Sequence, residues 1–297
     1  MLKKVLLIAF LYVSTSFATW SYFPVTGDGL RTKASFDVQS GDFSSKGLAA
    51  GIAYVLGGSF ELSLQNMGFI SIAEFGEDDE SETFMRKPII GVRLGSRESF
   101  DVYLDYSLPI GRFVSYGTDE YEEGSFLDFG FHKSIINKKR FRWGLELGVN
   151  YHFTYEPEED ERLSEYIYMY EHQTGLFYHW ASEMDLALFT RLDLFAAFEY
   201  RIMLTKSKDK WYADSYRYDD IYGEYEYGAF DYTFTKFMFG FCFKIMEHLF
   251  LEEEISIISA TMPAYDAYES YDSVEFEDEG KDDVSFNKFS TFLKYMF

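Results

Sequence analysis

Cys242 is the chain's one cysteine. A single thiol excludes an intrachain disulfide and a zinc site built on cysteines. Long apolar runs are also missing. Nothing after the N-terminal segment approaches the ~18 uninterrupted apolar residues of a membrane-spanning helix. Basic residues are few: 27 Lys and Arg stand against 50 Asp and Glu, a formal net charge of −23. The resulting pI of about 4.5 argues against a nucleic-acid partner. No G-x-S-x-G, no H-E-x-x-H and no acidic loop with EF-hand spacing occurs, so the common hydrolase and calcium signatures are absent. No internal repeat and no separate soluble domain stands out.

What the chain does have is aromatic residues, 21% of the total, with 25 Tyr and 32 Phe. It also has alternation. A strand turns successive side chains to opposite faces, so an apolar/polar period of two marks a strand with two different environments. Trp143, Leu145, Leu147, Val149, Tyr151 and Phe153 alternate with Arg142, Gly144, Glu146, Gly148, Asn150 and His152. Leu192, Leu194, Ala196, Phe198, Tyr200 and Ile202 alternate in the same way, as do Phe237, Phe239, Phe241, Phe243 and Ile245. Twelve such segments are predicted, near 31–39, 47–56, 58–74, 84–95, 99–115, 124–134, 141–154, 168–188, 191–204, 228–245, 248–262 and 284–297. Alternation also explains a mean hydropathy of only −0.20, because every second strand residue is polar. Such repetition is hard to explain by a sandwich, whose charged face would sit in bulk water. Lipid against one face accounts for it, and lipid demands that the sheet close, since an open edge would leave backbone groups unpaired.

The connections alternate short and long. Short ones lie near Gly57 and Gly58, 95–98, 135–140, 189–190 and 246–247; longer ones lie near 40–46, 75–83, 116–123, 155–167, 205–227 and 263–283. The five longest loops, 76–83, 117–124, 155–165, 205–227 and 263–283, hold 30 acidic and six basic residues, a net −24. Asn137, Lys138, Lys139 and Arg140 make a basic short turn. At the N-terminus Lys3 and Lys4 precede an apolar run, 5–13, and Ser16-Phe17-Ala18 offers a small-x-small cleavage site. Residues 1–18 therefore read as a signal peptide, residues 19–29 as a short lead-in, and 30–297 as the barrel. The mature chain would hold 279 residues with a net charge of −25.

The last segment, VSFNKFSTFLKYMF, places Phe289, Leu293, Tyr295 and Phe297 on one face and Lys288, Ser290 and Lys294 on the other. With the N-terminal segment and the alternation, this strand resembles those of bacterial, Gram-negative-type outer-membrane β-barrel proteins; no narrower family is assigned. The resemblance implies an all-β fold, a single antiparallel up-and-down barrel of about 12 strands with short periplasmic turns, long acidic extracellular loops and both termini in the periplasm. It implies outer-membrane lipid and the barrel-assembly machinery as partners. Leu293, Tyr295 and Phe297 are similar to the apolar marks of the assembly signal, although Ser290 and Thr291 stand where that signal usually has Gly.

Parity then assigns the inward face. The expected lumen lining includes Arg93, Asp101, Asp105, Asp128, Glu146, His179, Glu183, Asp193, Glu199, Arg201, Lys236, Lys244, Glu252, Glu254 and Lys288. Lys33, Asp37, Glu61, Asp185 and Lys294 share that parity. Two readings stand side by side: a charged conduit that selects small solutes, and an ion-pair network that fills a narrow barrel, with Glu252 and Glu254 next to Lys244 and Lys236. The acidic runs at 77–82 and 277–283 are oxygen-rich enough for divalent cations, but they read first as solvated, mutually repelling surface. The tyrosine-rich loop 211–227 either recognises a surface partner or folds over the barrel mouth. The histidines fall at different depths. Ser182, on the outer face, has no histidine at its level, and Glu253, also outward, reads as a local bulge. A rim or lipid-face hydrolase is thus the weakest reading. The chain is expected to be a non-enzyme with no cofactor and no metal, either a porin-like, cation-preferring channel or a closed adhesive or structural barrel.

Overall fold

The alternation becomes a ring. The computed structural model describes residues 28–296 except 42–43, 68–69, 76–79, 86–87, 97, 109–112, 115–119, 122–124, 154–161, 165–166, 174, 214–220 and 270–273. The signal-peptide reading, nearly all of the lead-in, the acidic residues 77–79 and Phe297 fall outside the described residues. Twelve strands form the barrel. They are β1 (Gly29–Gly41), β2 (Ser44–Leu56), β3 (Phe60–Met67), β4 (Ile89–Ser96), β5 (Phe100–Ser107) and β6 (Phe126–Lys138). They continue as β7 (Phe141–His152), β8 (Leu176–Phe189), β9 (Leu192–Met203), β10 (Thr233–Lys244), β11 (Leu249–Glu269) and β12 (Val274–Met296).

Each strand pairs antiparallel with its sequence neighbours, and β12 returns to β1 from Arg31↔Met296 to Gly41↔Phe286. That last ladder removes both edges, the condition a sheet must meet in lipid. At one end the strands join through short turns: 57–59, 98–99, 139–140, 190–191 and 245–248. Gly57 and Gly58 both adopt left-handed φ, 59° and 61°, the tight reversal that side chains with a Cβ resist.

The two faces differ as parity requires. Along β10, Phe237 and Phe239 are 44% and 50% exposed, whereas Met238 between them is 3% exposed. The outward surface is an apolar band that includes Leu48, Leu62, Leu104, Phe129, Ile255, Ile257, Phe289 and Leu293. Aromatic pairs tie neighbouring strands across it: Trp180 to Phe198 at 4.9 Å and Phe198 to Phe237 at 4.8 Å between ring centroids. Near the long-loop end Tyr106, Tyr151 and Phe153 cluster, with Phe153 edge-on to both tyrosines. Such a band with interfacial aromatics is the outer surface of a membrane barrel.

Several boundaries differ from the sequence reading. Residues 263–283 are not a loop: β11 and β12 continue as one long ribbon, paired as far as Glu269↔Val274 with a bulge at Ala264/Tyr265. Residues 58–74 split, because β3 ends at Met67 and Ile70–Phe75 pairs with the upper part of β2 and with Glu80–Met85. Residues 168–188 split likewise. Ile167–Gln173 leaves the barrel and joins Arg162–Ser164, Ser207–Ala213 and Ile221–Tyr227 in a separate four-stranded sheet. The described parts of the tyrosine-rich loop, 211–213 and 221–227, are therefore strand. They rest against the β11–β12 ribbon through Tyr225 and Phe276, whose rings are 5.5 Å apart. Glu253 marks no bulge. β11 runs in register past it, and Thr291 Oγ1 donates to its Oε2 at 2.8 Å.

Candidate functional site: the charged interior

The inward face carries charge on most strands, and two arrays organise it. The first spans β4 to β8. Arg93 pairs with Asp101, and its guanidinium carbon lies 4.9 Å from the Tyr103 ring centre. Asp101 also reaches His132, Oδ2 to Nδ1 at 3.3 Å, and the far side of that imidazole lies 2.8 Å from Glu183 Oε1. Further along the barrel, His179 Nε2 sits 2.9 Å from Asp128 Oδ1 and 3.2 Å from the Tyr103 hydroxyl. Tyr103 donates to Glu146 at 3.3 Å, and Asn150 Nδ2 donates to Asp128 at 3.1 Å.

These contacts jump strands because glycines clear the way. Tyr103 on β5 meets His179 on β8 across Gly130 and Gly148; a Cβ on Gly130 would lie 2.5 Å from the Tyr103 hydroxyl. His132 reaches Glu183 over Gly144. The side chains thus lie along the wall, seated on glycine, rather than standing straight out from it.

The second array spans β9 to β12 and β1. Arg201 pairs with Glu199 two residues away. Lys236 Nζ is 3.7 Å from Glu254, which also accepts from Ser256 Oγ at 2.6 Å. Lys288 is 3.7 Å from Asp37, and Lys294 pairs with Glu252. Lys33 Nζ sits 3.7 Å over the ring of the buried Phe292, with Lys294 on the same ring at 5.9 Å. Glu254 meets Lys236 as adjacency on the sheet suggests, but Glu252 is met by Lys294, and Lys244 stands 5.9 Å over the Phe250 ring.

Of the fifteen residues assigned inward, Arg93, Asp101, Asp128, Glu146, His179, Glu199, Arg201, Lys236, Glu252, Glu254 and Lys288 are buried. Asp105, Glu183, Asp193 and Lys244 are half-buried. Leu293 and Tyr295 are exposed on the outer face. Parity sets Gly144, Gly148 and Asn150 on the same face as Glu146 without giving them a role, and Tyr103, which shares a face with Asp101 and Asp105, carries no signal of its own in the sequence. Charges held this far from water are stable only when each finds a partner or hydrogen bonds, which the two arrays supply. On the outer face, Ser182 accepts from Trp143 Nε1 at 3.0 Å. Among the described residues no three His, Cys, Asp or Glu side chains group in a way that could hold a metal ion.

A closed ring of twelve antiparallel strands, apolar outside and charged inside, is the architecture of an outer-membrane β-barrel. Comparison with solved structures agrees at the level of fold. An outer membrane channel from Pseudomonas putida F1 superposes with a TM-score of 0.58 at 9% identity, covering 94% of this chain and 99% of that one. The translocator domain of the autotransporter NalP from Neisseria meningitidis gives 0.54 at 12% identity, covering 98% and 97%. No protein-family model and no curated protein matches the sequence.

Proposed function

We propose that this protein is a passive outer-membrane channel for small polar solutes, narrow and cation-preferring, with the long-loop end outside the cell and both termini in the periplasm. The observation that carries the reading is the composition of the inward face. A barrel that needed only to be filled could use small and apolar side chains; this one holds charges of both signs against the wall on most of its strands. Desolvating them costs several kcal/mol each in real proteins, roughly, before pairing offsets it. Charged linings of this kind are what conduits use to select what passes. The Pseudomonas putida neighbour is itself an outer membrane channel, which supports the reading. The acidic long-loop segments, net −24, would concentrate cations at the mouth.

Planar-bilayer recording of the purified chain tests this. Small, steady steps and a reversal potential displaced toward the cation side of a salt gradient are expected. Bilayers that stay sealed around correctly inserted protein sink the channel reading.

A second reading has its own observation: pairing and burial of the interior charges favour a closed structural or adhesive barrel, with the outer sheets binding a partner. It predicts no conductance. It also predicts partner binding that disappears on deletion of 211–227 while the barrel persists. Neither reading assigns the chain a reaction.

A further inference from the structure

We propose that the short-turn end of β6 to β9 is a docking surface for the headgroup of an anionic phospholipid. Lys133, Lys138, Lys139, Arg140 and Arg191 are all exposed there. The two turns that carry most of them are neighbours: the Ala187 amide donates to the Arg140 carbonyl at 2.9 Å, and Phe141 faces Leu186 across β7 and β8. Lys133 lies on the outer, lipid-facing side of β6, directly opposite Phe100 and Leu145.

The apolar band runs into this cationic rim without a break. Ile135, Leu186 and Leu188 are exposed beside it, and Phe189, at the lip of the 190–191 turn, is 71% exposed. An apolar wall capped by clustered cations is complementary to acyl chains capped by a phosphate. Acidic side chains near the rim are few. Glu98 is exposed, with its carbonyl taking a hydrogen bond from Asn137; Asp193 is half-buried; Asp185 is engaged by Arg142. The contrast with the rest of the molecule supplies the specificity. The whole chain carries −23, and the other described short turns offer no cluster of cations, with Glu247 the charge at 245–248. The acidic long-loop end would repel the same headgroup. This inference rests on the reading of the apolar band as lipid-facing.

The test uses the full chain refolded into nanodiscs of phosphatidylcholine alone or of phosphatidylcholine mixed with phosphatidylglycerol, and follows the midpoint of heat-induced unfolding. The combined variant Lys138→Gln, Lys139→Gln, Arg140→Gln, Arg191→Gln is compared with a long-loop control, Lys206→Gln, Lys208→Gln, Lys210→Gln, Lys281→Gln. Phosphatidylglycerol should raise the midpoint of the wild type and of the control, and the short-turn variant should lose that shift while folding normally in phosphatidylcholine. An equal shift in the short-turn variant, or none in the wild type, overturns the proposal. So does a shift reproduced by inorganic phosphate in phosphatidylcholine discs, which would mark an anion site instead of a lipid site. Failure of the wild type to fold in either disc would overturn the lipid-facing reading itself, and this inference with it. Failure of bilayer conductance alone would remove only the channel.

Discussion

His179 Nε2 sits 2.9 Å from Asp128 Oδ1, and the tip of the imidazole rests on Gly148, in the strand between theirs. A methyl group at Gly148 would compete for the position of that ring tip and would also lie 2.8 Å from the Tyr103 hydroxyl. Gly148→Ala is therefore expected to separate the pair and to cost about 1–3 kcal/mol, as overpacking of a filled interior does. Urea unfolding in detergent micelles measures it. A midpoint equal to that of the wild type would mean that the side chains move aside freely and that the glycine is not a seat.

Glu199 and Arg201 are both nearly inaccessible, at 2% and 3% exposure, and pair along one strand. Glu199→Gln leaves the guanidinium without its carboxylate, an expected loss of about 3–5 kcal/mol. The double change Glu199→Gln with Arg201→Met should be less harmful than the sum of the single changes, with a coupling of about 0.5–3 kcal/mol. A double-mutant cycle in denaturant gives that number directly. Additive losses would show that the two groups do not hold each other.

All twelve barrel strands were legible in advance because each has lipid on one side and the interior on the other, and that difference writes a period of two into residues such as Phe237 to Phe243. The same logic explains the failures. Residues 263–283 show no apolar alternation and read as an acidic loop, although Pro263↔Lys281 and Tyr268↔Glu275 are paired on the β11–β12 ribbon. Ile167–Gln173 keeps a strand-like pattern and lies just before Leu176, so nothing in its residues says that it leaves the ring. Parity assigned residues to a face of the sheet and said nothing of their partners. Tyr103 meets His179 across two intervening strands, a contact that depends on barrel curvature and on where Gly130 and Gly148 fall in register.

Phe239 is half exposed in the middle of β10, between Phe237 and Phe241 on the same face. Phe239→Arg places a guanidinium at the centre of the apolar band, for an expected cost of about 2–4 kcal/mol in lipid. Tyr222→Arg, on the exposed sheet outside the barrel, should stay within ~0.5 kcal/mol of the wild type. Folding equilibria in phospholipid vesicles compare the two. Similar small effects at both sites would show that Phe239 faces water.

The closing seam depends on the end of the chain. β12 pairs on one side with β11, where Tyr295 faces Leu249, and on the other with β1, where Tyr295 faces Thr32 and Met296 faces Arg31. Among the described residues no other strand joins β1 to the C-terminal half, so the short-turn end of the ring is sealed by these last residues. Leu293 and Tyr295 present their side chains to the outer face at the same place. Deleting 295–297 removes the lowest rungs of both ladders at once and exposes backbone donors and acceptors where lipid offers them no partner. In cells the truncated chain is expected to reach the membrane fraction poorly and to lose the heat-modifiable gel mobility of a closed barrel. Purified and refolded in detergent with ample time, it should recover part of that mobility, because the remaining β1–β12 rungs from Lys33↔Lys294 to Gly41↔Phe286 are intact. Separating the cellular defect from the refolding defect distinguishes a terminus read as an assembly signal from one needed only for closure. Normal assembly in cells would reject both roles.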